Sequence, residues 1–165
     1  LVPLQMLSRT LESALQELLD TNQRHFHVQT ALDFALDEGR LAPEAAAQLY
    51  RIVQEALRNA VRHAKATLVK VDLRVIGEGQ AELVVENDGQ PFLPPPEQRA
   101  GMGLAIMEQR ARLIGGKFEI GPMEAGGTRL TCRFPLQTTP TAPDSAARES
   151  KTRENDFRVK DDGHA

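Results

Sequence analysis

An α/β two-layer sandwich, with one mixed and largely antiparallel sheet covered by helices on one face, is the fold class this sequence predicts. Three observations carry the prediction. Helical and alternating apolar periods succeed one another as helix, strand, helix, two strands, helix, two strands. Two strand pairs are joined by short glycine-bearing turns, at Gly77-Glu-Gly79-Gln80 and at Gly126-Gly127, which read as antiparallel hairpins. The strict strand–helix alternation of a doubly wound parallel sheet is missing.

Each element has its own warrant. Leu4, Leu7, Leu11, Leu15 and Leu18 or Leu19 recur at helical spacing, so a leading helix is expected to about Arg24. Phe26 to Phe34 alternates loosely and predicts a strand. Leu41-Ala-Pro43-Glu44 is a helix start with proline in the first turn. The helix then runs over residues 45–64, with Leu49, Ile52, Val53, Ala56, Leu57, Ala60 and Val61 as its apolar stripe. Residues 67–76 alternate Val69, Val71, Leu73 and Val75 against Leu68, Lys70, Asp72 and Arg74, the pattern of a half-buried strand. Residues 81–86 form its return strand. From Asp88 to Ala100, Pro91, Pro94, Pro95 and Pro96 forbid a helix or a central strand. Residues 104–114 read as a helix ended by Gly115-Gly116. Residues 117–120 and 128–135 are the last two strands. Beyond Leu136 large apolar residues nearly vanish, so residues 1–137 are expected to form the domain and 138–165 a disordered tail.

The bulk numbers bound the function. A chain of 165 residues supports one domain with a real core. A net charge of −3 offers no broad basic field for nucleic acid. The single cysteine, Cys132, excludes an internal disulfide, fits a reducing compartment and reads as a small buried residue. No apolar run approaches the ~18 residues of a membrane span, and no signal peptide is evident. Leu1 rather than Met at the start suggests a piece of a longer protein, with any membrane segment upstream.

Four motifs carry the chemistry. On the long helix Glu55, Asn59 and His63 follow at i, i+4 and i+8, so they share a polar face opposite the apolar stripe, with Arg62 beside them. Oxygens of Glu55 and Asn59 suit a hard cation such as Mg²⁺, and Arg62 and His63 suit phosphate. Asn87-Asp88-Gly89 directly follows a strand, where an amide or carboxylate can read a base edge. Gly101-Met-Gly103-Leu104 opens a helix, where glycines and the helix N-terminus favour phosphate. Gly126-Gly127-Thr128 closes the series. Alone, each has a commoner explanation: a solvated helix face, an Asp-Gly turn, a loop before a helix, a hairpin turn. Their joint occurrence in this order is what points to a nucleotide and its metal.

These residues resemble the ATP-binding catalytic domain of sensor histidine kinases, part of the wider group of DNA gyrase B, Hsp90 and MutL. Tyr50-Arg-Ile-Val-Gln-Glu55-Ala-Leu-Arg-Asn59-Ala-Val-Arg-His63-Ala-Lys-Ala is especially similar to the nitrate-sensor (NarX-like) and DesK-like subfamily. The resemblance covers roughly residues 10–136. It implies a Bergerat-type ATP-binding fold, with ATP and Mg²⁺ as cofactors. By position it makes Asn59 the metal-ligating residue and Glu55 an acidic group near the metal that orients or deprotonates the attacking histidine. It places Arg62 on phosphate and His63 along the nucleotide. Gly101, Gly103 and Leu104 match the phosphate-lid glycine box, and Gly126, Gly127 and Thr128 the last one. Residues 90–100 would be the ATP lid.

One motif departs from the family pattern of Asp-x-Gly-x-Gly. Asn87 stands where the adenine-binding Asp is usual, ahead of Gly89, and Pro91 replaces the second glycine. A neutral amide gives up charge-assisted strength, so weaker or less selective ATP binding is expected. No His-Asp or His-Glu pair typical of the phosphoacceptor helix occurs: the histidines are His25, His27, His63 and His164. The implied protein-histidine kinase therefore needs an upstream dimerisation and phosphoacceptor domain, and passes phosphate to a response regulator. The resemblance implies a cytoplasmic domain, alone or as part of an inner-membrane sensor, without membrane contact of its own. It also implies a homodimer in the full-length protein and a monomer as this piece. Two other readings stay open: a non-catalytic interaction module of the same fold, and an anti-sigma-type serine kinase.

Overall fold

The computed structural model describes residues 9–92 and 102–137. The expected tail, most of the expected lid, Gly101 and the first turns of the leading helix with Leu4 and Leu7 lie outside them. Helix α1 spans Leu11–Phe26, strand β1 Gln29–Ala35, helix α2 Pro43–Arg62, and strands β2 and β3 Leu68–Gly77 and Gln80–Asn87. Helix α3 spans Met102–Leu113, and strands β4 and β5 span Lys117–Pro122 and Thr128–Pro135. The five strands form one sheet in the order β1-β2-β3-β5-β4. The β1–β2 pair is parallel and the other three pairs are antiparallel. The expected two-layer sandwich with a mixed sheet is therefore the fold.

Helix α1 begins where the chain supplies caps. The Thr10 hydroxyl accepts from Ser13 N–H at the start of α1. Glu38, in a single 3-10 turn, adds its carboxylate to the Leu11 and Glu12 amides at 2.7 and 3.0 Å, satisfying donors that have no partner inside the helix. The alternation in the sequence predicts a strand from Phe26. Instead α1 continues to Phe26, and His27 closes it in the left-handed conformation (φ 55°), donating its N–H to Gln23 O. A helical C-cap of this kind delays β1 to Gln29. Pro43 opens α2 as expected.

One face of the sheet and one stripe of each helix make the core. Leu49, Ile52, Val53, Ala56, Leu57 and Ala60 of α2 are buried against Val69, Val71, Leu73, Leu83, Val85, Leu130 and Cys132 of the sheet. Leu11, Leu15 and Leu19 of α1 and Met107 and Ala111 of α3 extend the same core. Each fully buried large aliphatic side chain contributes about 1.5–3 kcal/mol. Arg110 of α3 donates to Gln48 of α2 at 2.8 Å, tying the two helices that flank the site.

The other sheet face is polar and cross-linked along its rungs. Arg74, Glu82, Arg133 and Lys117 lie in register across β2, β3, β5 and β4. The nearly buried Glu82 carboxylate receives Arg74 at 3.1 Å and Arg133 at 2.7 Å. Glu86 receives Arg129 on the same face at 2.5 Å. Arg133 chiefly, then Arg74, holds the Glu82 carboxyl below its ordinary range.

Candidate functional site

A cleft of about 590 Å³ opens between α2, α3 and the adjoining ends of β3, β4 and β5. It lies at the ends of the strands, next to the chain leaving β3, because the polar face of α2 is turned away from the core. Its floor is apolar: Ala60, Val85, Leu104, Met107, Ile120 and Leu130. Its polar rim holds Glu55 and Asn59 from α2, His63 at the C-cap of α2, Asn87 from the end of β3, Gln90 from the chain that follows it, and Thr128 from β5. An apolar floor with a few convergent polar groups is the usual design of a small-ligand pocket.

The structure brings together most of the residues singled out in the sequence. Glu55, Asn59, His63, Asn87, Gly103, Leu104 and Thr128 all line this one cleft, although they come from α2 and its C-cap, β3, α3 and β5. Arg62 is not among the lining residues. Arg58, which the motif spacing does not single out, does line the cleft, and its guanidinium stands 2.6 Å from Glu55 Oε1. The i,i+3 spacing of Glu55 and Arg58 was the available signal. Met102, inside the Gly101-Met-Gly103-Leu104 motif, and Phe92, shortly after Asn87-Asp88-Gly89, also border the cleft.

Close backbone approaches explain the glycines. A Cβ on Gly89 would stand 2.4 Å from the Ala64 carbonyl oxygen, which already accepts from Gln90 N–H at 2.8 Å. A Cβ on Gly127 would lie 2.0 Å from the Asn87 carbonyl oxygen, and its φ of +90° is itself a glycine conformation. A Cβ on Gly103 would meet Glu55 Oε1 at 2.2 Å, so the N-terminal turn of α3 sits directly on the Glu55 carboxylate. Glycine at these three positions lets α2, β5 and α3 close around the cleft.

The Asn87-Asp88-Gly89 motif divides its labour. Asn87 faces the cleft, and its Oδ1 accepts from Gly89 N–H at 3.0 Å. Asp88 is not a lining residue. Its carboxylate accepts from the Thr67 hydroxyl at 2.5 Å and from the Thr67 and Leu68 amides at 2.8 Å each. The Thr67 hydroxyl first, with the Leu68 amide, draws the Asp88 carboxyl below its ordinary range. Asp88 thus staples the end of β3 to the start of β2. Thr128 is buried, and its hydroxyl accepts from Phe92 N–H at 2.8 Å and donates to Gln90 O at 3.3 Å. It fixes the chain as it leaves β3. Cys132 of β5 is fully buried in the core, which pushes its thiol up to about 11, so it is core and not a nucleophile.

Among the described residues, no group of three or more His, Cys, Asp or Glu side chains gathers to hold a metal. The donor set is instead one amide, Asn59, and one carboxylate, Glu55, a turn apart. That suits Mg²⁺, which dehydrates reluctantly and takes one or two protein oxygens alongside substrate phosphates.

The cleft and sheet are those of an ATP-binding domain. Residues 44–138 match the family of histidine kinase-, DNA gyrase B- and HSP90-like ATPases, and the chain belongs to that family. Its relatives narrow the class to the ATP-binding domain found in sensor histidine kinases. The nitrate/nitrite sensor protein NarQ of Escherichia coli is 32% identical over 124 residues, covering 75% of this chain and 22% of NarQ. A sensor-like histidine kinase of Chloroflexus aurantiacus is 32% identical over 144 residues, covering 82% of this chain and 24% of the relative. The chain therefore spans less than a quarter of the length of these curated relatives. Among solved structures, the ATP-binding domain of PrrB from Mycobacterium tuberculosis aligns with a TM-score of 0.58 at 25% identity, over 76% of this chain and 93% of that domain. No described helix is long and apolar enough to cross a membrane.

Proposed function

We propose that this chain is the catalytic half of a two-component sensor histidine kinase. It binds Mg–ATP and presents the γ-phosphate to a histidine on a dimerisation domain outside the chain. From that histidine the phosphoryl group passes to an aspartate of a response regulator. The observation that carries the reading is the convergence of Glu55, Asn59, His63, Asn87 and the α3 N-terminal turn on one apolar-floored cleft.

Each group then has a task its chemistry allows. The apolar floor takes the adenine ring, and Asn87 meets its amino edge. The N-terminal turn of α3, from Met102 and Gly103, favours phosphate through its free amides and partial positive charge. Asn59 and Glu55 would hold Mg²⁺, which when bound offsets the phosphate charge. Glu55 orients or deprotonates the incoming histidine, and His63 lines the nucleotide. Phosphoryl transfer rests on such positioning and charge neutralisation, so a domain without its own acceptor can still hold ATP ready. The reading places the domain in the cytoplasm, where ATP is supplied.

The test is reconstitution. The chain is mixed with γ-labelled ATP, Mg²⁺ and the dimerisation domain encoded beside it. Acid-labile label on that domain's histidine is expected, and none on this chain. ATP bound without any transfer, under conditions where an authentic kinase domain labels the same acceptor, would instead support a non-catalytic module.

A further inference from the structure

We infer that the base end of this cleft also fits a 6-oxopurine, so that GTP is a ligand on a par with ATP or better. Asn87 Nδ2 donates to the 6-oxo group, and Thr128 Oγ1 accepts from the ring N1–H. The inference rests on the reading above that the cleft holds a purine nucleotide, and it names the purines admitted.

Asn87 and Thr128 are partners in register across β3 and β5, and both line the cleft. Opposed side chains on one sheet face stand about 5 Å apart. That is near enough to meet neighbouring atoms of one base edge.

What each side chain can offer is decided by the partners it already has. Asn87 Oδ1 accepts from Gly89 N–H at 3.0 Å. That N–H is fixed from both sides. The Asp88 carboxylate is tied to the Thr67 and Leu68 amides, and Ala64 O holds Gln90 N–H at 2.8 Å. Gly89 also packs on Ala64 so closely that a Cβ would stand 2.4 Å from the Ala64 carbonyl oxygen. A backbone N–H only donates, so the Asn87 amide turns its oxygen to it. The group left for a ligand is the Nδ2 donor.

Thr128 is committed in the opposite sense. Its hydroxyl has one hydrogen, which Gln90 O receives at 3.3 Å. One lone pair takes Phe92 N–H at 2.8 Å. What remains is a second lone pair, an acceptor.

A donor beside an acceptor complements a 6-oxopurine, whose edge runs acceptor at O6 and donor at N1–H. Adenine runs the other way, with a donor amino group beside the N1 acceptor. Adenine must share Asn87 Oδ1 with Gly89, whereas a 6-oxopurine leaves that bond untouched. Sugar and phosphates are common to both nucleotides, so these two side chains set the preference.

Calorimetric titration of the whole chain with ATP, ITP and GTP, each with Mg²⁺, tests the inference on wild type and Asn87→Asp. ITP differs from ATP at this edge alone, so the ratio of their affinities cancels a merely structural effect of the substitution. In wild type, ITP and GTP are expected to bind within about threefold of ATP or more tightly. In Asn87→Asp a carboxylate oxygen replaces the donor, and the ratio should swing toward ATP by about tenfold. The wild-type ratio decides even where the variant fails to fold. Wild type binding ATP more than about threefold tighter than ITP or GTP, or a folded Asn87→Asp keeping the wild-type ratio, overturns the inference and leaves the ATP reading intact. A wild type that binds none of the three overturns both.

Discussion

Asn87→Asp should tighten ATP and turn the cleft against GTP. In the structure Asn87 Oδ1 accepts from Gly89 N–H at 3.0 Å. An adenine amino group needs an acceptor too, and the only other polar atom of the Asn87 side chain is the Nδ2 donor. The one oxygen must therefore serve both partners. Aspartate keeps one oxygen for Gly89 and turns a second, charged one to the base. A hydrogen bond to a charged group contributes ~1.5–3 kcal/mol net, against ~1 for a neutral pair. The gain is about 1 kcal/mol, or roughly fivefold in Kd at 1.4 kcal/mol per tenfold. Guanine carries an oxygen where adenine carries its amino group, so the Asn87 amide can donate to it, whereas the carboxylate of the Asn87→Asp variant would repel it. Titration of wild type and variant with ATP and GTP reads both effects. Unchanged or weaker ATP binding together with unchanged GTP binding would show that this side chain does not face the base.

Three further outcomes follow from the same geometry. Asp88→Ala removes the acceptor of three hydrogen bonds from Thr67 and Leu68; at this exposed site it should cost about 1–2 kcal/mol in urea unfolding, and ATP affinity should shift by less than about threefold. Glu82→Gln strips the charge that Arg74 and Arg133 share and should destabilise by about 1–2 kcal/mol, as those arginines are half exposed. Because the folded-state pKa of Glu82 lies below its ordinary value of 4.5, its stabilisation is full above pH 4.5 and fades as pH falls through the folded value; stability of Glu82→Gln should therefore depend less on pH below 4.5, as urea titrations at stepped pH would show. Cys132, buried and with its thiol pushed up to about 11, should resist a thiol reagent at about pH 8 in the native chain and react once urea unfolds it.

Much of the fold was legible because burial writes itself as periodicity. The α2 stripe from Leu49 to Ala60 is buried as the spacing requires, and Val69, Val71 and Leu73 of β2 face inward as alternation requires. Val75, the next in that alternation, is 41% exposed because β2 outruns the helices that cover it. The β1–β2 parallel pairing was not legible, since it depends on α2 carrying the chain across the sheet. The α1 end was misplaced because nothing in Phe26-His27-Val28 marks a left-handed histidine cap.

The site was legible in its parts and less so in their roles. Helical spacing grouped Glu55, Asn59 and His63, and these line one cleft together with Asn87, Leu104 and Thr128 from the other motifs. Spacing on α2 alone does not tell that Arg58 lines the cleft and Arg62 does not, because both border the polar face. Likewise Asn87 and Asp88 are neighbours of similar chemistry, and the structure turns one to the cleft while Thr67 and Leu68 at the start of β2 hold the other.

The central claim, that this cleft holds Mg–ATP through Asn59, is tested most directly by the melting temperature of the chain with and without nucleotide. At ATP about a hundredfold above Kd, binding to the folded state alone adds ~2.7 kcal/mol, a rise on the order of 5–10 °C for a domain of this size. The account predicts that rise for wild type with Mg²⁺ and its loss in Asn59→Ala. No rise at millimolar Mg–ATP, or an equal rise in Asn59→Ala, would contradict it.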